Sequence, residues 1–353
     1  MRLDLAKPLY DRTGPWVSAY LDASRETEDG AELTALRWRG LRQHLADQGA
    51  PDGALAALDE VVADAATGLA MFAADGRVAL TVPLPEPPAR DIGTVGRLPH
   101  VLPMFAALGE PVAWVQVVAD RTGADLVSAP AWRRPRTDEV TGQQHYPVHK
   151  AAPGGWSQPR YQRAAEENWE RNAAEVAAAV ARAAEQVDAE ALVVAGDVRA
   201  RQLILEHLPE RWAAIAVPAE GSRAPGATPE PVDEATRRAT AEVAARRRAA
   251  ALDDLHAGGG TLGATGLAEV VEAARETRIR TVLLRIGDRS EGLPGQVWIG
   301  SAPTVLATAP DDFADQPVRA DDALLRAAAQ TDAELMLYRP DELPDEVAAV
   351  LRW

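Results

Sequence analysis

Short apolar runs alternate with long amphipathic stretches along the chain, and this alternation predicts a mixed α/β protein. Apolar runs of roughly four to eight residues between turn-forming residues are typical of strands, whereas apolar positions three or four apart are typical of helices. The runs predict strands at residues 16–22, 68–73, 78–82, 112–119, 124–129, 191–196, 213–217, 281–286, 297–299 and 335–338. The amphipathic stretches predict helices at residues 31–48, 53–66, 157–187, 198–208, 233–256, 267–275 and 321–330.

Segments rich in proline and glycine interrupt this pattern and predict where domains meet. Residues 83–88 read as a connector and residues 221–231 as a hinge or linker. Segments of this composition do not pack like the interior of a helix or a strand. We therefore expect three domains, at residues 1–110, 111–225 and 226–353.

The composition narrows the class of protein. With 47% hydrophobic residues among 353, the chain can bury a proper core. It has no cysteine, which excludes disulfides, thiolate metal sites and cysteine nucleophiles. Only His145 and His149 have a spacing that could suit a metal, and Pro147 between them favours a strand, so we expect no metal and no cofactor. No apolar run could span a membrane and no signal peptide is evident, so we expect a cytoplasmic protein without membrane contacts.

The charge is distributed unevenly. The formal net charge of −16 argues against a general affinity for nucleic acid. Residues 133–163, however, hold six Lys and Arg against two acids, Asp138 and Glu139, which gives this window a net charge of +4. A basic window in an acidic protein is a local footprint for a polyanion. The alternative is that these arginines pair with acids on neighbouring elements.

Residues 149–160 read His-Lys-Ala-Ala-Pro-Gly-Gly-Trp-Ser-Gln-Pro-Arg and predict a flexible loop that enters a long helix. The two glycines let the backbone approach a partner closely. Ser157 can cap the helix, and Pro159 fits its first turn. Trp156 offers a face for stacking, while Gln158 can only form hydrogen bonds, to position a water molecule or hold a carbonyl. The alternative interpretation is a tight turn with a buried tryptophan.

Several stretches, in order along the chain, resemble one known family. Residues 153–160, the helix rich in Ala, Glu and Arg that follows, and the run Leu-Val-Val-Ala-Gly-Asp at 192–197 are similar to the middle domain of archaeal and eukaryotic class I peptide-chain release factors and Pelota. In release factors a Gly-Gly-Gln loop precedes the same helix. Residues 266–274, 280–284 and 347–353 resemble that family's C-terminal domain.

The resemblance covers residues 111–353 and implies both a fold and a partner. It implies an α/β protein of three domains, with a central RNase H-like α/β domain that carries the glycine loop and the long helix, and a C-terminal α/β/α domain of the release-factor type. Within the family, the chain is most similar to the bacterial branch, which includes Balon-like and mycobacterial ribosome-hibernation factors. Such proteins are thought to occupy the ribosomal A site, with EF-Tu as a candidate companion.

Two departures from the release-factor pattern bear on activity. The glutamine stands two positions later than in a Gly-Gly-Gln loop, because Trp156 and Ser157 precede Gln158. The N-terminal part also carries no stop-codon motif of the release-factor type. We therefore expect a hibernation factor that responds to stress and binds the ribosome without releasing peptide. The alternative is a ribosome-rescue peptidyl-tRNA hydrolase in which Gln158 positions the water and is the catalytic residue.

The hypothesis also predicts which residues contact ribosomal RNA near the A site and the peptidyl-transferase centre. Basic side chains would contact phosphates and supply affinity, and the tryptophan would stack on an unpaired base. The predicted contact residues are Arg133, Arg134, Arg136, His149, Lys150, Gly154, Gly155, Trp156, Ser157, Arg160 and Arg163.

Overall fold

The computed structural model describes most of the chain, and the contacts divide it into two compact units. The described residues are 1–25, 29–65, 67–131, 134–141, 158–257, 262–287, 292–343 and 345–353, with the backbone alone at 158–165. One unit combines residues 1–110 with residues 248–353, and the other comprises residues 111–247. The division into three domains stays a prediction. Among the described residues, no helix has the length and apolar character needed to cross a membrane.

The N-terminal part of the first unit is an antiparallel sheet covered by helices. Its elements are β1 (Trp16–Leu21), α1 (Gly30–Asp47), α2 (Asp52–Ala63), β2 (Leu69–Ala74), β3 (Arg77–Pro83), β4 (Ile92–Gly96) and α3 (Leu102–Leu108). The strand order is β3-β2-β1-β4. Asp75 and Gly76 join β2 to β3 with positive φ at both positions, as a tight hairpin turn requires. Trp38, Leu45 and Leu55 of the two larger helices pack on the buried strand faces and form the core.

The second unit is built around a five-stranded sheet with helices on both faces. Its elements are β5 (Trp114–Asp120), β6 (Gly123–Ala129), β7 (Arg136–Thr141), α4 (Gln158–Val187), β8 (Ala191–Gly196), α5 (Val198–His207), α6 (Glu210–Ala213), β9 (Ala216–Ala219) and the larger part of α7 (Glu230–His256), whose residues from Arg248 onward belong to the first unit. The order is β7-β6-β5-β8-β9; β5, β8 and β9 are parallel, and β6 and β7 run antiparallel. This arrangement agrees with the predicted central α/β domain. Helices α4 and α5 cover one face and α7 the other, which is why β8 is apolar throughout.

Two predictions for this unit are wrong in detail. The strand predicted at residues 213–217 begins at Ala216, because Pro209 starts the short helix α6 and Trp212 buries itself in the core from that helix. The segment around Arg133–Arg136, which the sequence predicts as a basic loop after the strand at 124–129, is in part a strand, since Arg136 begins β7. That strand lies at the sheet edge and is largely exposed, so its sequence carries no apolar alternation.

The C-terminal part of the first unit contains two further sheets. Its elements are β10 (Gly263–Thr265), α8 (Gly266–Arg275), β11 (Ile279–Arg285), β12 (Gln296–Ile299), β13 (Leu306–Ala307), β14 (Gln316–Arg319), α9 (Ala320–Gln330), β15 (Glu334–Tyr338) and β16 (Val347–Leu351). The larger sheet has the order β10-β16-β11-β15, and the smaller has the order β13-β12-β14. The predicted α/β class is therefore confirmed.

A buried polar cluster links the N-terminal and C-terminal parts of this unit. His100 Nδ1 lies 2.9 Å from an Asp322 carboxylate oxygen, and the Arg319 guanidinium bonds both oxygens of Asp321 at 3.1 and 3.0 Å. His100, Asp321 and Asp322 come close enough to share a metal ion, and they form the sole such group within the described ranges. Because an arginine already neutralises Asp321, the cluster is better explained as an ion-pair network than as a metal site.

Because of this cluster, we expect the stability of the fold to depend on pH through the protonation of Asp322. Burial, the largest influence, raises the pKa of Asp322 from 3.8 to about 6; Asp321 acts in the same direction, while His100 and Arg319 oppose it. A raised folded-state pKa means that the protonated form stabilises the fold, and this contribution is lost as pH rises from about 4 through about 6. Asp322→Asn should remove that dependence, so the stability of the variant relative to wild type should rise by up to about 3 kcal/mol across this window.

Urea unfolding of both proteins at several pH values measures the difference directly. The matched variant Asp312→Asn, on an exposed loop of the same unit, should run parallel to wild type throughout. A difference between wild type and Asp322→Asn that stays constant from pH 4 to 7 would show that Asp322 does not titrate in this range.

Candidate functional site

The exposed edge strand β7 carries the described members of the predicted RNA-binding set. Arg134 precedes the strand and Arg136 begins it, and both side chains are exposed. Neither side chain makes an ion pair or hydrogen bond with any residue that the structure describes. Asp138, two residues along the same strand face, is also exposed. Within the described ranges, no acid on a neighbouring element is paired with either of these two arginines.

A different arginine, which is largely buried, holds strand β7 in place. Arg223, in the loop before α7, is only 14% exposed and reaches three carboxylates: Asp120 at 3.3 Å, Asp125 at 2.9 Å and Glu139 at 3.1 Å. These acids lie at the end of β5, on β6 and on β7, so one guanidinium ties the three strands together. The hydrogen bond to Asp125, its largest influence, raises the pKa of Arg223. Glu139, counted among the acids of the basic window, is thus neutralised from outside that window.

Removing this link should loosen the strand that leads into the glycine loop. We expect Arg223→Ala to lower the free energy of unfolding by about 1–2 kcal/mol, a value reduced from that of a fully buried pair because the three carboxylates can rehydrate. Amide hydrogen exchange in β6 and β7 should accelerate more than in β8. Arg237→Ala, which breaks only an exposed pair with Glu234 on α7, should change stability by less than about 0.5 kcal/mol. Equal effects of the two variants would contradict the proposed link.

Helix α4 follows the glycine loop in the chain and is anchored mainly by its second half. Its 30 residues span about 45 Å at 1.5 Å per residue. Ala173, Val176, Ala177, Val180 and Ala184 are buried against the sheet and α5. No residue from 166 to 171 is buried. Residues 166–171 are therefore held less by packing than the second half of the helix.

Most of the predicted contact residues fall outside the side chains that the structure describes. Gln158, Arg160 and Arg163 lie in the first turns of α4, where only the backbone is described. The remaining residues of the set lie outside the described ranges: Arg133, His149, Lys150, Gly154, Gly155, Trp156 and Ser157. The described chain stops at Thr141 and resumes at Gln158, and the roles of all these residues stay predictions.

A group of contacting residues beside α4 was not predicted from the sequence. We call it the Arg121 corner, and it consists of Arg121, Trp169, Asn172 and Asp197. The Arg121 guanidinium lies 4.5 Å from the centre of the Trp169 ring, and Asn172 Nδ2 donates to the Arg121 carbonyl at 3.2 Å. Asp197 accepts from the Arg199 and Ala200 amides, so it caps α5 at the carboxyl end of β8. Because the contacting residues are far apart in the chain, no local spacing could have revealed the corner.

The cleft at this corner is too small for a substrate. Its enclosed volume is about 10 Å³, which is about the space that one water molecule needs. Trp169 and Asn172 close it from α4, and Leu203 and Ile204 close it from α5. The corner therefore orients α4 on the sheet, and polyanion binding along β7 stays a prediction.

Comparison with known proteins supplies the family. The family described as Bacterial archaeo-eukaryotic release factor family 2 matches residues 113–261. The uncharacterized protein Rv2629 of Mycobacterium tuberculosis is 30% identical over 375 residues, which span 100% of this chain and 97% of that protein.

Two solved structures of translation factors are similar to this chain at lower sequence identity. The archaeal translation termination factor aRF1 is 15% identical, covers 97% of this chain and 93% of its own, and has a TM-score of 0.26. Dom34 of S. cerevisiae, described as a termination-like factor in RNA quality control, is 10% identical, covers 79% and 73%, and has a TM-score of 0.42.

TM-scores this low carry no argument of their own, so the assignment follows from the sequence matches. The full-length relation to Rv2629 and the match of residues 113–261 agree with each other. They also agree with the resemblance of the glycine loop, the long helix and the strand β8 to release factors. The chain belongs to the family of Rv2629, within the bacterial branch of the archaeo-eukaryotic release-factor and Pelota superfamily.

Proposed function

We propose that this protein binds the ribosome in the cytoplasm, enters the A site and acts as a hibernation factor under stress, without releasing peptide. The observation that carries the proposal is the pair of exposed arginines on β7. Arg134 and Arg136 have no ionic partner among the described residues, and they lie at the start of the last described strand before the glycine loop in the chain. Basic side chains that the protein leaves unneutralised are suited to phosphate contacts.

The geometry of α4 supports the same proposal. A helix of 30 residues, packed mainly along its second half, holds the loop at one end. The cleft between α4 and α5 has room for only about one water molecule, so a partner of this part of the unit would bind outside that cleft. In the proposed complex the loop reaches ribosomal RNA near the peptidyl-transferase centre. EF-Tu, which the family resemblance implies as a companion, would accompany the protein to the A site.

The position of Gln158 favours binding over hydrolysis. Two additional residues of extended chain span about 7 Å, whereas catalytic positioning fails with errors nearer 1 Å. The second candidate function, a rescue peptidyl-tRNA hydrolase, requires the loop to restore the glutamine despite Trp156 and Ser157. We therefore propose a loop that binds and is catalytically silent.

Two single substitutions distinguish the candidates. Trp156→Ala should weaken ribosome binding about tenfold, because an aromatic side chain stacked on a base contributes about 1–3 kcal/mol. Gln158→Ala should leave binding within about twofold, since in the proposed silent loop the glutamine does not reach the peptidyl-tRNA ester. Equilibrium binding to purified ribosomes measures both, with Gln186→Ala near the far end of α4 as the matched control. A larger loss for Gln158→Ala than for Trp156→Ala would favour the hydrolase.

A further inference from the structure

The part of α4 nearest the glycine loop in the chain extends beyond the residues that fix the helix to the sheet. Asn172 is the first residue of α4 with a side chain that the structure describes as buried, and Trp169 before it is partly buried. Residues 158–168 precede both and span about 16 Å at 1.5 Å per residue. A tilt of about 10° at Trp169 would therefore move the start of the helix by about 3 Å.

One residue of the sheet contacts both Trp169 and Asn172. The Arg121 guanidinium lies 4.5 Å from the centre of the Trp169 ring, and the Arg121 carbonyl accepts a hydrogen bond from Asn172 Nδ2 at 3.2 Å. Because Trp169 and Asn172 are three positions apart, they are neighbours on one face of the helix. Arg121 thus holds this point of α4 twice, once by its side chain and once by its backbone.

Arg121 is itself fixed on the sheet. It lies in the turn between β5 and β6, where the Asp120 carboxylate accepts hydrogen bonds from the Thr122 amide at 2.7 Å, the Thr122 hydroxyl at 2.6 Å and the Gly123 amide at 3.0 Å. Its guanidinium also lies 3.8 Å from the carboxylate of Asp197, the residue that caps α5. The position of the sheet is therefore passed to α4 through Arg121.

The stack of Arg121 on Trp169 adds little to the stability of the unit. The Arg121 side chain is 52% exposed, and a cation–π contact at such a site changes an equilibrium only a few-fold. Val176, Val180 and Ala184 supply the buried packing farther along the helix. A contact that contributes little to folding, and that lies where α4 leaves its packed part, is suited to setting the direction of the helix.

We propose that Arg121 and Trp169 are positioning residues for the glycine loop. Their contact fixes the direction of the first part of α4 and so sets the fraction of molecules in which the loop can enter the A site. A binding element has to be held within about 10–20° of its productive orientation. The affinity for a partner falls in proportion to the fraction of molecules in the competent state. This inference rests on the proposed ribosome binding, and it gives both residues an effect on affinity without contact to the ribosome.

Distances between two nitroxide labels on the full-length protein test the direction of the helix. The chain has no cysteine, so labels attach only where cysteines are introduced. Gln162→Cys with Glu206→Cys places one label on the first part of α4 and one on α5, and Glu175→Cys with Glu206→Cys is the control pair on the packed part. By double electron–electron resonance, Trp169→Ala should broaden the distances of the first pair by about 3 Å, the movement produced by a tilt of about 10°. The control pair should not change.

Equilibrium binding to purified ribosomes tests the consequence. Trp169→Ala, which removes the ring, should weaken binding about tenfold as the competent fraction falls. Arg121→Met should weaken it about threefold, and Trp169→Phe, which keeps an aromatic face, should stay within about twofold of wild type. Since Arg121 and Trp169 act through one contact, the double variant Arg121→Met, Trp169→Ala should bind no more weakly than Trp169→Ala alone.

A second stack in the same unit provides the matched control. The Arg211 guanidinium lies 4.3 Å from the centre of the Trp212 ring. Arg211→Met removes a contact of the same kind away from α4, so it should change neither the distances nor the affinity.

Three results would overturn the proposal. If Trp169→Ala binds more weakly with unchanged distances, its ring contacts the ribosome directly, and if the distances broaden without loss of affinity, the direction of α4 does not govern binding. Both results spare the proposed function. Failure of the wild-type protein to sediment with ribosomes would overturn the proposal and the proposed function together.

Discussion

Gly196→Ala should destabilise the second unit more than a change to alanine at any other glycine that the structure describes there. Gly196 ends β8 with φ at +116°, where L-residues are strained, and a Cβ atom would lie 1.9 Å from the Ala119 carbonyl oxygen on β5. That oxygen also accepts the Asp197 amide at 2.9 Å, so it cannot move away freely. Strain and overlap together should cost about 2–5 kcal/mol.

Amide hydrogen exchange in β8 measures this effect where it arises, since opening of one sheet is read locally. Gly226→Ala is the matched control, because Gly226 has φ at +83° in the same unit but no atom within 4 Å of a built Cβ. It isolates the backbone strain, which should cost only about 1–2 kcal/mol. If the amides of β8 exchange at the same rate in the two variants, the close contact between β5 and β8 does not set the stability of this sheet.

Replacing Arg133, Arg134 and Arg136 by alanine should weaken ribosome binding about 100-fold near physiological salt, because each lost phosphate contact also forgoes counterion release. The logarithmic dependence of affinity on salt should become shallower by about 3, close to one for each arginine. Arg134 and Arg136 are exposed and lack ionic partners in the described structure, so the melting temperature should change by only a few degrees.

The control variant loses the same three positive charges, but from a different surface of the same unit. Arg182, Arg238 and Arg246 are exposed on α4 and α7 of the same unit, and their replacement by alanine removes the same three charges. Binding by this control should fall by less than about threefold, since long-range attraction is screened over about 8 Å at physiological ionic strength. An equal loss in the two triple variants would mean that β7 is not the RNA-binding face.

The long helix α4 and the parallel strand β8 could be predicted from the sequence because their patterns are strong. The helix predicted at 157–187 is Gln158–Val187, and β8 occupies the predicted residues 191–196. Both elements bury apolar side chains at regular spacing, which fixes their type and their length. The glycine loop between β7 and α4 was located by its residue types, and its contacts stay predictions.

Elements without regular burial could not be predicted in the same way. Strand β4 reads Ile-Gly-Thr-Val-Gly, and its two glycines hide the strand pattern. Strand β7 is polar because the sheet edge leaves both of its faces largely exposed. The Arg223 link joins residues 84 to 103 positions apart, so only the folded chain brings them together.

The most direct test of the central claim combines ribosome binding with peptide release. Purified protein would be sedimented with empty ribosomes and with ribosomes that carry peptidyl-tRNA, and released peptide would then be measured. We predict that the protein pellets with ribosomes while the peptidyl-tRNA stays intact. The contradicting result has two parts: the wild-type protein releases peptide, and Gln158→Ala still pellets with ribosomes but no longer releases it. That result would establish a rescue hydrolase in place of a hibernation factor.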